Sequence, residues 1–168
     1  MIVEKLEPIP EIDQLIQEVS KLIEKHGIKN NQLMLQGIDP EIEDWEQGIG
    51  SIYNLKIKTE ANYKHIFPSI RDSVLAHYIN RYKGFRTRIM NMNPRSCYSV
   101  HSDPTPRIHI PIKTNDQTWM VWPKHNQCHQ MPVGSAYFTD TTLPHTFMNC
   151  GLEERIHIVI CIDNKPKL

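Results

Sequence analysis

Arg155-Ile-His-Ile-Val-Ile160 decides the fold class, because isoleucine fills every second position while Arg, His and Val stand between. A period of two places alternate side chains on opposite faces of an extended strand. Arg107-Ile-His-Ile-Pro-Ile112 carries the same alternation, and Thr87, Ile89 and Asn91 alternate with Arg88, Met90 and Met92. The polar partners are Arg and His, not the Ser, Thr and Lys of a merely wet face. One face therefore packs and the other lines a polar interior, as in a barrel-like β-sandwich with a polar mouth.

Ahead of residue 84 the pattern is helical. Ile12, Leu15, Ile16, Val19, Leu22 and Ile23 share one helix face, with Pro10 before the first turn and Gly27 after the last. A second helix is predicted from Pro68 to near Gly84, with Ile70, Val74, Leu75 and Ile79 inward. Between them, Leu33–Leu35 and Ile52–Ile57 read as short strands, Asp39-Pro40 and Gly48-Ile49-Gly50 as turns, and Glu41–Glu46 as a solvated acidic run around Trp45. With 168 residues, one domain is expected, a helical front and supporting segments over 1–83 and a strand core over 84–163.

Nineteen Lys and Arg balance nineteen Asp and Glu, so no nucleic-acid or anionic-membrane partner is indicated. The basic cluster Arg81, Lys83, Arg86 and Arg88 is too short to change that. No apolar run reaches the ~20 residues of a membrane span, and the acidic start is too short in apolar residues for a signal peptide. A cytoplasmic location follows as an expectation. Cys97, Cys128, Cys150 and Cys161 have no CxxC or zinc spacing and read as free thiols, mostly in the core. Oligomeric state is not readable.

Nine histidines exceed what packing needs and point to metal chemistry. His101 and Asp103 form an H-x-D triplet, and in an extended strand both side chains point one way. Two histidines and one carboxylate on one face of Fe(II) leave three positions open, so a second histidine must come from elsewhere. Alone, the triplet reads equally as a polar turn before Pro104. His145 lies in Thr141-Thr-Leu-Pro-His145, beyond the strand Ser135–Phe138, and Arg155 follows ten residues later. An arginine pointing into an apolar strand layer needs an anion, best a bidentate carboxylate. The competing partner is Glu153 or Glu154 in the preceding turn.

His101-x-Asp103, Arg107-Ile-His109-Ile-Pro111, Phe138-Thr-Asp140, His145, Asn149 and Arg155, in that order, resemble the aspartyl/asparaginyl β-hydroxylases. The resemblance covers about residues 84–163. It implies a mainly β (α+β) fold, a double-stranded β-helix (jelly-roll, cupin-like) barrel with N-terminal helices packed on one sheet. It implies an Fe(II)- and 2-oxoglutarate-dependent dioxygenase, with His101, Asp103 and His145 as metal ligands and catalytic centre. Arg155 would pair with the distal carboxylate of 2-oxoglutarate, and Arg107 and His109 with the carboxylate beside the keto group. Asn149 would steady the loop after the second metal histidine. Where relatives carry a hydroxyl on the first barrel strand this chain has Met90, with Thr87 or Arg88 as substitutes, and the His101–Arg107 stretch is compressed around Pro104 and Pro106.

The expected reaction is hydroxylation of a C–H bond, of an Asp, Asn or Pro residue in a peptide or protein. The alternatives are a free amino acid or other small molecule, and a cupin-like module that binds metal without catalysis. Of the remaining histidines, His157 reads as a neighbour of the site or a packed neutral ring. His125 and His129 read as loop residues, and His26, His65 and His77 as structural or exposed. Trp119 and Trp122 read as core, while Tyr98, Ser99 and Arg95 are candidates to meet substrate.

Overall fold

The computed structural model describes residues 1–167. In chain order its elements are β1 (Val3–Pro8), α1 (Ile12–His26), β2 (Gln32–Met34), β3 (Gln36–Gly37), β4 (His65–Ile66), α2 (Val74–Arg81), β5 (Phe85–Met92), β6 (Ser96–Cys97), β7 (Arg107–Lys113), β8 (Thr118–Trp122), β9 (Gln127–His129), β10 (Ser135–Thr139), β11 (Thr146–Asn149) and β12 (Arg155–Cys161). Six antiparallel strands form one sheet in the order β1-β10-β7-β12-β5-β2, and four form a second in the order β6-β11-β8-β9. These are mainly β sheets with two helices. The ladders leave the two sheets separate, so a closed barrel is not what the strand pairing defines. No described helix is long and apolar enough to cross a membrane.

The isoleucine positions do what the alternation predicts. Ile89, Ile108, Ile110, Ile158 and Ile160 form one cluster with Leu15 and Val19 of α1 and Leu75 and Ile79 of α2. The helices thus cover the outer face of the large sheet. Gly27, at φ 74°, ends α1 in a conformation that only glycine adopts freely. The opposite face of the sheet carries Arg88, His109, Arg155 and His157, all buried, and the smaller sheet covers it with Met120, Trp122 and Phe147.

Several expectations are corrected. β1 and β2 come from the front of the chain yet complete the large sheet, because their backbone groups pair with β10 and β5. Ile52–Asn54 is a 3₁₀ turn and not a strand. The predicted second helix splits into a 3₁₀ turn at Pro68–Ile70 and α2, whose first turn is capped by the Ser73 hydroxyl and by the Glu18 carboxylate. Cys97, Cys128 and Cys150 are exposed, and Cys161 alone of the four lies in the core. Arg86 and Arg88 are buried, so the basic cluster is not a surface patch.

Arg86 sits at a bulge in β5, where three steps from Phe85 to Arg88 face two from Cys161 to Val159. Its φ of 46° is left-handed, which a side chain adopts only at a cost. That turn aims the guanidinium at Glu60, with Nη1 donating over 2.6 Å. Arg107 donates to the other side of the same carboxylate, at 2.9 and 3.1 Å. Glu60 is 3% exposed. Burial alone would raise its pKa, but the Arg107 charge, the Thr105 hydroxyl and the Arg86 charge outweigh it and hold the carboxyl below its ordinary value.

Glu60→Gln would leave the buried Arg86 guanidinium without an anion and Arg107 with Asp103 alone. It is expected to cost about 3–5 kcal/mol of stability, read as a lower midpoint in urea unfolding.

Candidate metal and co-substrate site

The H-x-D strand and the His145 segment pair directly. The His101 and His145 backbones exchange hydrogen bonds of 3.0 and 2.9 Å, and the Asp103 N–H donates to Thr141 O at 2.8 Å. This bridge brings the two histidines side by side, and one donor atom each from His101, Asp103 and His145 falls within 4.8 Å of the others. A first-row ion sits about 2.0–2.2 Å from such donors, which then lie roughly 3 Å apart, so the three must draw closer to share one.

The donor chemistry fits a divalent metal. His101 Nδ1 faces Ser99 O at 2.7 Å and His145 Nδ1 faces Leu143 O at 2.9 Å. A carbonyl accepts only from N–H, so each ring carries its proton on Nδ1 and offers the Nε2 lone pair. His145 Nε2 stands 3.7 Å from Asp103 Oδ2. Burial lowers the His145 pKa, with Leu143 and Asp103 only partly opposing, which favours the neutral ligand form.

The compressed stretch around Pro104 and Pro106 has a visible consequence. It folds Arg107 back so that Nη2 lies 3.3 Å from Asp103 Oδ1. The guanidinium is therefore shared between Glu60, Thr105 and Asp103. Arg107 also lines the cavity, so its contacts to Glu60 and Asp103 are already made before any co-substrate carboxylate arrives.

Arg155 is different. It is 1% exposed and pairs with no carboxylate among the described residues. Glu153 and Glu154 approach Lys113 instead, which removes the competing ion pair. One Nη donates to His157 Nδ1 at 2.8 Å, the guanidinium lies 3.9 Å over the Phe147 ring, and Nε has no partner. Burial pushes its pKa down to about 10. Together with His101, Asp103 and His145 it lines a cavity of about 450 Å³, within the range of small-molecule sites.

His109 lines the same cavity. Its Nδ1 is 3.3 Å from His157 Nδ1, an atom that already accepts from Arg155. The proton between the rings therefore belongs to His109, whose Nε2 is buried without a partner. Contact from His109 to a carboxylate requires a proton on Nε2 that this arrangement does not place there. Burial and the Arg155 charge hold both rings far below the ordinary imidazole range.

Asn149 is fully buried at the end of β11. Its amide donates to Met92, Asn93 and Glu153 carbonyls and accepts from the Gly151 N–H, pinning the turn into β12 as its loop-steadying role implies. Met90, Arg88, Tyr98 and Ser99 line the cavity, whereas Thr87 and Arg95 do not. Trp122 is core and lies 6.1 Å from the His145 ring. Glu60, Arg86 and Gln32 were missed by sequence reading. Only Arg86 left a signal, as a charge in phase with the inward face of β5.

The site thus joins two histidines and a carboxylate able to hold a metal with an arginine in the same cavity that pairs with no carboxylate among the described residues. The sequence profile of the aspartyl/asparaginyl beta-hydroxylase family matches residues 10–165, and the chain belongs to that family. No curated protein matches the chain. Among solved structures it is similar to a viral collagen prolyl hydroxylase from Paramecium bursaria Chlorella virus-1, with TM-score 0.54, 11% identity and coverage of 97% of this chain and 91% of that one. The same viral enzyme in complex with 2-oxoglutarate gives TM-score 0.51, 11% identity and coverage of 96% and 97%. A prolyl-4-hydroxylase from Pseudomonas putida gives TM-score 0.51, 13% identity and coverage of 98% and 94%. At such identities these structures speak to the fold alone.

Two outcomes are expected. His145→Ala removes a donor with no neighbour to replace it, so Co(II) titration followed by absorbance should lose its d–d bands. His109 and His157 are neutral when folded but take protons when unfolded below pH ~6.5. The unfolded state then binds more protons, so stability is full above that pH and falls as pH drops. Thermal melts should show a decreasing midpoint from pH 7 to pH 5.

Proposed function

We propose that this chain is a 2-oxoglutarate- and Fe(II)-dependent dioxygenase that hydroxylates a C–H bond of an Asp, Asn or Pro residue in a peptide or protein. The observation that carries the reading is that His101, Asp103 and His145 open into the same cavity as Arg155, a buried cation with no carboxylate partner. A diacid whose far end meets Arg155 supplies the missing anion, and its near end can face the metal donors.

Each residue has a definite task in this reading. His101, Asp103 and His145 would hold Fe(II), which when bound supplies the oxygen-activating redox chemistry. Arg107 holds Asp103 in place, and Glu60 holds Arg107. His157 accepts from Arg155 and so fixes the direction of its planar fork. Phe147 lies against that fork and shields it from water, which strengthens its attraction for a carboxylate. Tyr98 and Ser99, between β6 and His101, stand at the cavity wall, where the reacting compound must come.

Membership of the aspartyl/asparaginyl beta-hydroxylase family supports a residue within a chain as the compound oxidised. Succinate release from 2-oxoglutarate by Fe(II)-loaded protein in air tests the reading. Wild type should release it, and His145→Ala should not. Arg155→Gln should raise the half-saturating 2-oxoglutarate concentration roughly 100-fold, the size of losing one partner of a buried charge pair. A wild type that stays silent with candidate peptides and amino acids present would point to metal binding without oxidation.

A further inference from the structure

The large sheet brings four arginines to the cavity: Arg86, Arg88, Arg107 and Arg155. Two carboxylates answer them. Glu60 binds Arg86 and Arg107, and Asp103 lies against Arg107 alone. Among the described residues, Arg155 and Arg88 therefore remain without an anion, and both are more than nine-tenths buried. The reading above assigns the distal carboxylate of 2-oxoglutarate to Arg155. Arg88 is then left over.

Arg88 is held as a binding group would be. Gln32 Oε1 accepts from its Nη1 at 2.9 Å and from the Gly50 N–H at 3.1 Å, so the side chain is braced from β2 and from the turn before Tyr53. Its Nε has no partner. Burial, with Arg86 nearby, pushes its pKa down to about 10. A buried cation that meets only an amide oxygen carries a desolvation cost that an apolar side chain would avoid.

Strand register separates the two free arginines. Arg88 pairs with Val159 and Arg155 with Met92, and the pair Met90 and His157 stands between them. Four residues along β5 is roughly 13 Å of strand. Arg155 thus lies at one end of the cavity floor. Arg88 lies at the other, beside Gln32 and the Gly50–Tyr53 segment, where the exposed Tyr53 marks the rim. Asp103 lies against Arg107, which pairs with Cys161 two residues from Val159, so Arg88 sits at the metal donors' end of the cavity, where the second compound must come.

We infer that Arg88, braced by Gln32, is the site that recognises a carboxylate on the compound being oxidised, so the substrate enters as an anion. The inference rests on the function proposed above. The planar fork of an arginine suits a bidentate carboxylate. That group could be an acidic side chain within a peptide or the α-carboxylate of a free amino acid, and the probes separate the two.

The test is calorimetric titration of Mn(II)-loaded protein saturated with 2-oxoglutarate, using three probes. N-acetyl-aspartate bearing a C-terminal methylamide carries only a side-chain carboxylate. N-acetyl-asparagine carries only the α-carboxylate, and its methylamide carries neither. One of the two anionic probes should bind wild type about tenfold or more tightly than the neutral one. Arg88→Gln should reduce that preference to less than about twofold while leaving the 2-oxoglutarate Kd within about twofold. Gln32→Leu, which keeps the arginine and removes its brace, should weaken the anionic probe alone.

Equal binding of the three probes to wild type, or no binding, overturns the inference without needing any variant. Survival of the preference in Arg88→Gln overturns it too. Loss of 2-oxoglutarate affinity in Arg88→Gln to the extent seen in Arg155→Gln would assign Arg88 to the co-substrate instead. Wild type that takes up no 2-oxoglutarate at all would sink the proposed function itself, a result distinct from the others.

Discussion

One buried carboxylate ties the halves of this protein together. Glu60 comes from a short turn in the front of the chain, yet it neutralises Arg86 of β5 and Arg107 of β7. Arg107 in turn touches Asp103. Isolated charges at this depth are costly, and pairing them is worthwhile only where the geometry satisfies every donor. The left-handed turn at Arg86 and the double-proline stretch before Arg107 supply that geometry. The position of the metal carboxylate therefore depends on a residue more than forty positions away.

The two faces of the large sheet divide stability from chemistry. The outer face is isoleucine and leucine against two helices, and that apolar burial is the main driving force for folding. The inner face keeps charges and imidazoles in the dry, enclosed layer below the second sheet, with several polar atoms unsatisfied: His109 Nε2, His157 Nε2, Arg155 Nε and Arg88 Nε. Native interiors seldom leave such groups unpaired. Their concentration on one cavity wall marks a surface built for ligands whose oxygen atoms complete it. A low local dielectric makes each of those contacts stronger than it would be in water.

Much of the site was legible because strand periodicity is local. Alternation identified β5, β7 and β12 and the face that each arginine and histidine occupies, and H-x-D with a distant histidine identified the donor set. Gly27 and the apolar spacing delimited the first helix. What failed shares a physical cause. β1 and the Ile52 turn are short segments whose state is set by which strand edge they meet, not by their own residues.

The sequence by itself determined a mainly β chain with helices in front, two histidines and a carboxylate able to hold a metal, and an arginine seeking an anion, since each depends on residue type and near-neighbour spacing. Tertiary structure alone decided how the charges are shared. Arg107 lies between Glu60 and Asp103, and Arg88 is a buried cation without an anion among the described residues. Spacing along a chain says which groups need partners. Only the packing of distant segments says which partners they find.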